Sequence, residues 1–126
     1  MGAGRMRRVD GAVRAVLSDA IAKDLLDPRV GFVTVTSVKT SPDLRHARVY
    51  VSVLGADGNP SLPDEREATL DGLRSAHGFL QGRIGGELHL KRTPTLEFVY
   101  DDTTDRALRV ETLLAESPEG DEVETT

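Results

Sequence analysis

Residues 75–86 read SAHGFLQGRIGG and set four glycines inside a run that otherwise keeps the apolar spacing of a helix through Leu80 and Ile84. Glycine in a helix interior costs about 1 kcal/mol relative to alanine, so the cluster needs a reason. Three are open: a glycine loop that cradles phosphate, a site built around His77, or a bend between two helices whose surface meets something large.

The flanking sequence narrows the choice. Upstream, Pro63 followed by Asp64, Glu65 and Glu67 marks a helix start, with proline at the first position and acids near the positive end of the dipole. Its apolar positions Leu70, Leu73 and Ala76 run into the glycine-rich stretch, and Leu80, Ile84 and Leu88 resume the spacing toward Pro94. TLEFVYD, residues 95–101, then alternates Leu96, Phe98 and Tyr100 as a strand. Further upstream, Val9, Val13, Val16, Leu17, Ala20, Ile21 and Leu25 predict a helix over residues 9–26, stopped by Asp27-Pro28. Residues 30–39 and 46–54 are β-branched and alternating; in the second, Ala47, Val49, Val51 and Val53 share a face opposite Arg48, Tyr50 and Ser52. The intervening TSPDL is a turn, so the two strands should pair as an antiparallel hairpin. GADGNPSLP, residues 55–63, is a loop by composition. Residues 102–116, DTTDRALRVETLLAE, read as a short terminal helix with Asp102, Thr103 or Thr104 to cap it.

The order is therefore helix, strand, strand, helix, helix, strand, followed by a short C-terminal helix. That predicts an α+β fold of one small sheet under helices, the order of a type II KH-like domain, a fold associated with RNA. The joint between the paired helices has two candidate positions. Gly82-Arg83-Ile84-Gly85 spells the GxxG pattern that clamps a nucleic-acid backbone in KH domains. A joint there would leave only residues 86–91 for the next helix, too few to cover a sheet. Ala76-His77-Gly78 leaves about three turns and is the better joint. Gly82, Gly85 and Gly86 then fall within the second helix, which should be weak near its end or closely packed there.

At 126 residues the chain has the length of one domain, able to bury a core without covalent staples. It has no cysteine, which removes disulfides, thiolate metal sites and cysteine nucleophiles and gives no reason to expect an oxidising compartment. No apolar run is long enough to span a bilayer and the first residues lack a signal-peptide pattern, so the cytoplasm is the expected location and no membrane partner is expected. The net charge of −5 hides an uneven distribution. Residues 101–126 carry nine acids and two bases, leaving residues 1–100 at +2. Residues 1–14 and residues 74–92 each sum to +3. The expected domain is residues 1–114, with an acidic, disordered tail over residues 115–126.

Several linked segments resemble the ribosome-binding factor A family: DPRVGFVTVTSVKTSPDL from residue 27, ARVYVSVLG from residue 47, SAHGF from residue 75 and LKRTPTLEFVYDDTT from residue 90. The likeness covers most of residues 5–114. It implies a KH-like fold in which Ala-x-Gly, here Ala76 to Gly78, bends the helical pair where GxxG would otherwise sit. It also implies a non-enzymatic assembly factor that binds the free 30S ribosomal subunit and 16S rRNA and assists maturation of the rRNA 5′ end. A ribosome-associated GTPase or an initiation factor would be a candidate for releasing it, and off the ribosome it would be a monomer. Gly82 and Gly86 exceed the glycine content of the family pattern, and His89 stands where arginine is expected.

Phosphate recognition calls for cations fixed on a rigid face, and arginine's planar fork suits paired oxygens better than lysine does. Of the 16 basic residues only Lys23, Lys39 and Lys91 are lysines. Arg5, Arg7 and Arg8, read as lying ahead of the first helix, are candidates, as are Arg74, Arg83, His89, Lys91 and Arg92 along the bent pair and Arg45 and Arg48 near the hairpin turn. His77 at the bend either bonds locally or reaches a phosphate when protonated. Phe32, Phe79 and Phe98 read as core, leaving Tyr50 as the one stacking candidate, so shape and phosphates should dominate recognition.

Other chemistries find little support. His46, His77 and His89 have no close ligand spacing, so neither a metal nor any other cofactor is expected. Asp101, Asp102 and Asp105 could suggest paired catalytic carboxylates, but capping acids at a helix start explain them better. The alternatives to the assembly-factor reading are a KH-like module for another RNA or a protein partner, and a small hydrolase or nuclease using the acids near residue 101.

Overall fold

In a computed structural model, residues 2–55, 57–59 and 61–116 are described. The elements are α1 (Gly2–Lys23), β1 (Phe32–Thr40), β2 (His46–Leu54), α2 (Pro63–Ser75), α3 (His77–Glu87), β3 (Thr95–Tyr100) and α4 (Thr103–Glu116). The expected order is present throughout. Most of the acidic tail, residues 117–126, lies outside the described residues, and α4 runs two residues past the expected border at 114.

The three strands stand in the order β1-β2-β3. β1 and β2 pair antiparallel through the tight turn, and β3 joins β2 in parallel because the chain returns through the α2–α3 crossover. Ala47, Val49, Val51 and Val53 all face the helices and are buried. On β1 the register shifts between Val35 and Ser37. The extra residue at this bulge lets both Val35 and Val38, three positions apart, point into the core. The core itself joins Val13 and Leu17 of α1, Leu70 and Leu73 of α2, and Leu80 and Ile84 of α3 to the sheet.

The bend falls at Ala76, which alone separates α2 from α3. Its φ of −89° and ψ of 10° leave the helical region, while its N–H still bonds to the Gly72 carbonyl and its carbonyl accepts from Leu80. The GxxG stretch at residues 82–85 lies inside α3. The expected close packing there holds at Gly85, where a Cβ would come 3.2 Å from Thr93 Oγ1, but not at Gly82 or Gly86, which face open space.

Two expectations need correction. α1 begins at Gly2, not near residue 9, so Arg5, Arg7 and Arg8 are on the helix rather than ahead of it. Met6 carries the apolar spacing one step back from Val9, and arginine and methionine are good helix formers. Phe32 and Phe79 are not core: they are 65% and 45% exposed, against 4% for Phe98. Phe32 opens β1 on the face away from the helices, and on α3 the buried side belongs to Leu80 and Ile84.

Candidate nucleic-acid interface

The first third of α1 is fixed to the sheet by Asp10, whose carboxylate accepts the Thr40 N–H at 2.9 Å. The hairpin turn follows directly. Asp43 organises it by accepting the Ser41 hydroxyl at 2.7 Å and the Arg45 N–H at 3.0 Å, and these bonds hold its carboxyl below the usual range. The Arg45 carbonyl then accepts the Thr95 N–H at 2.9 Å, which docks the start of β3, and the loop before it, against the turn. Three segments distant in sequence thus meet at one end of the sheet. Between them lies a cleft of about 430 Å³ lined by Arg5 and Met6, by Pro42 to Arg45, and by Lys91 and Arg92. It carries four cations and one carboxylate. Arg45 lies 3.5 Å from Asp43. No carboxylate among the described residues is paired with Arg5, Lys91 or Arg92.

The remaining candidates are distributed differently. Arg7 and Arg8 are exposed on α1. Arg48 bonds to Glu97 at 3.3 Å on the open face of the sheet, and Arg74 pairs with Glu67 and Asp71 along α2 at 3.4 and 3.2 Å. Arg83 bonds to Glu87 at 2.6 Å, to Asp19 at 3.3 Å and to Asp24, and only a quarter of its side chain is exposed. It fastens α3 to α1. The Glu87 and Asp24 carboxylates raise its pKa further. His77 accepts the Leu96 N–H on Nε2 at 3.1 Å, so in that arrangement the nitrogen carries no proton and the ring ties α3 to β3. His89 is exposed in the loop after α3. Lys39, not singled out from sequence, lines a shallow depression of about 310 Å³ with His46, Arg48 and Tyr50. Met6 and Leu44 were also missed, because their value depends on which cations surround them.

Of the acids near residue 101, Asp101 and Asp102 are engaged in structure, and the side chain of Asp105 lies outside the described residues. Asp101 accepts the Thr36 hydroxyl at 2.7 Å and the Thr103 N–H at 3.0 Å, so it bonds at the start of α4, while the side chain of Thr104 lies outside the described residues. Bonds from Thr103 and Thr36 lower its pKa, away from the raised value that a general acid needs. Asp102 accepts from Arg106 at 2.8 Å. Among the described residues no group of three histidines or acids could hold a metal, and no helix is long and apolar enough to cross a membrane.

Residues 5–114 match the sequence pattern of ribosome-binding factor A. The chain belongs to the ribosome-binding factor A family. Ribosome-binding factor A of Anaeromyxobacter sp. (strain Fw109-5) is 47% identical over 118 residues, covering 93% of this chain and 92% of that one. The crystal structure of ribosome-binding factor A from Thermus thermophilus superposes with a TM-score of 0.63 at 25% identity, over 75% of this chain and 94% of its own. A homology model of the Thermus thermophilus factor, fitted into a cryo-electron-microscopy map of its complex with the 30S subunit, matches with a TM-score of 0.58 at 26% identity, over 75% and 92%. The α+β, KH-like architecture of this chain is that of ribosome-binding factor A structures.

Proposed function

We propose that this chain binds the free 30S ribosomal subunit through 16S rRNA and acts there as an assembly factor, with a part in maturing the rRNA 5′ end. One observation carries the reading: Arg5, Arg45, Lys91 and Arg92, from three separate segments, converge on a single cleft. Cations fixed in this way release counterions when they meet phosphates, which makes binding favourable and salt-sensitive. Family membership supports the ribosome as partner, and the fitted 30S complex of the Thermus relative supports the small subunit in particular.

On this reading residues 1–114 form the RNA-binding unit and residues 115–126 an acidic appendix. The work is done by differential binding, in which one rRNA arrangement is held over others, and not by bond chemistry. The protein acts as a cytoplasmic monomer until a ribosome-associated GTPase or initiation factor displaces it. Co-sedimentation with isolated small subunits, large subunits and intact ribosomes across a salt series tests the core of the proposal. Binding confined to free small subunits and weakening with salt is expected; equal binding to all three, or to none, would overturn it. The 5′-end role is checked separately by mapping rRNA ends in cells depleted of the protein, where extended precursors should accumulate.

A further inference from the structure

The cleft offers more than charge. Beside the cations its lining includes three apolar residues, Met6, Pro42 and Leu44. A groove that only tracked phosphates would need the cations alone. Leu44 is the more telling residue. Its φ of 62° lies in the left-handed region, which favours glycine and in which leucine is uncommon. It is 8% exposed, yet it stands outside the cluster that forms the main core. Holding leucine there works against the backbone, and what it provides is an apolar side chain in a cleft lined by four cations. Such strain tends to collect where a ligand is met. At about 430 Å³ the cleft also has the size of one that encloses a small ligand.

Paired RNA keeps its bases stacked inside and would leave these apolar residues uncovered. An unpaired nucleotide swings its base outward while its phosphates stay on the strand. We infer that the cleft takes a single unpaired nucleotide of the bound RNA, its base lying over Leu44 and Met6 and its flanking phosphates meeting Lys91 and Arg92. This inference deepens the RNA-binding reading above and rests on it.

The test uses the full chain and an RNA hairpin carrying one 2-aminopurine as a single-nucleotide bulge, beside the same hairpin fully paired. The bulged hairpin should bind about fourfold more tightly or better, the gain from taking one methylene's worth of apolar surface out of water, with a change in aminopurine fluorescence. Met6→Ala and Leu44→Gly, the second compatible with the local backbone, should each bring the two hairpins toward equal affinity. Equal affinity for both hairpins with the unaltered protein overturns the nucleotide inference and leaves RNA binding standing. So does binding of small subunits but of neither hairpin. A preference that survives both substitutions places the base elsewhere and also overturns it, whereas failure to bind subunits and hairpins alike removes the RNA reading itself.

Discussion

Lys91 and Arg92 sit exposed in the loop between α3 and β3, whereas Arg83, on the same basic segment, is held by carboxylates of α1 and α3. The three residues therefore separate binding from folding. Reversing Lys91 and Arg92 to glutamate should weaken small-subunit binding and flatten the dependence of log affinity on log salt, by roughly 0.7–0.9 for each phosphate the loop no longer neutralises. An unchanged slope in a salt titration would remove this loop from the interface. Arg83→Ala should instead lower the melting temperature, since Asp19, Asp24 and Glu87 lose their shared cation, and should change the salt slope little. Asp27 gives a residue-scale pH prediction. Its carboxylate accepts the Arg29 N–H at 2.9 Å and the guanidinium at 2.6 Å, and these bonds, the side-chain ones foremost, lower its pKa to about 2. The unfolded value lies near ~3.9. Because the folded value is the lower, the contribution to stability is fully present above the unfolded pKa and is lost as pH falls through the folded one. A carboxyl titration followed by NMR should therefore show a midpoint near 2, and Asp27→Asn should flatten the acid limb of the stability profile between these values. A midpoint near ~4 would mean that the ring between Asp27 and Arg29 does not form in solution.

At the scale of elements, the glycines make a graded test of what the sequence could and could not reveal. The bend was legible because a joint at the GxxG stretch left too little helix to cover a sheet. The buried face of β2 was legible because its alternation is unbroken. Gly72 was not, since nothing in its neighbourhood announces that Val30, about 40 positions away, lies against α2; a Cβ there would come 2.7 Å from Val30 Cγ2. Nor was the bulge at Thr36, which shows in sequence only as valines whose spacing changes from two to three. Gly82→Ala and Gly86→Ala, both facing open space on α3, should each stabilise the protein by up to about 1 kcal/mol. Gly85→Ala should gain less, because Thr93 must yield, and Gly72→Ala should destabilise. Denaturant midpoints for the four variants check the order; a stabilising Gly72→Ala would show that the α1–β1 loop is not packed on α2 as described. Gly78 has neither a positive φ nor a neighbour that a Cβ would strike. Gly78→Ala should therefore not destabilise the protein, and a loss of small-subunit affinity in that variant would show that the bend meets RNA.

For the whole molecule, the sequence showed basic segments but not that they meet. Arg5 and Arg45, and again Arg45 and Lys91, lie about 40 or more positions apart, and only the antiparallel hairpin and the parallel return of β3 bring them to one end of the sheet. The same topology puts the start of α4 at the other end, because β3 leaves the cleft at Thr95 and finishes at Tyr100, roughly 17 Å further on. The chain thus has a cationic end and a strongly acidic C-terminal segment, and the net charge of −5 opposes approach to a polyanion while the cations of the cleft favour it. Residues 117–126 hold four acids and no base, so ending the chain after Glu116 changes the formal charge from −5 to −1. Long-range charge acts mainly on the rate of encounter and is screened by salt. The shortened protein should therefore associate faster with small subunits at low ionic strength, approach the full chain's rate as salt is raised, and melt at the same temperature. Stopped-flow association at two salt concentrations, with thermal unfolding of both proteins, measures this. A lower melting temperature would show that the last ten residues belong to the folded unit, and equal rates at low salt would show that the segment does not bear on approach to the subunit.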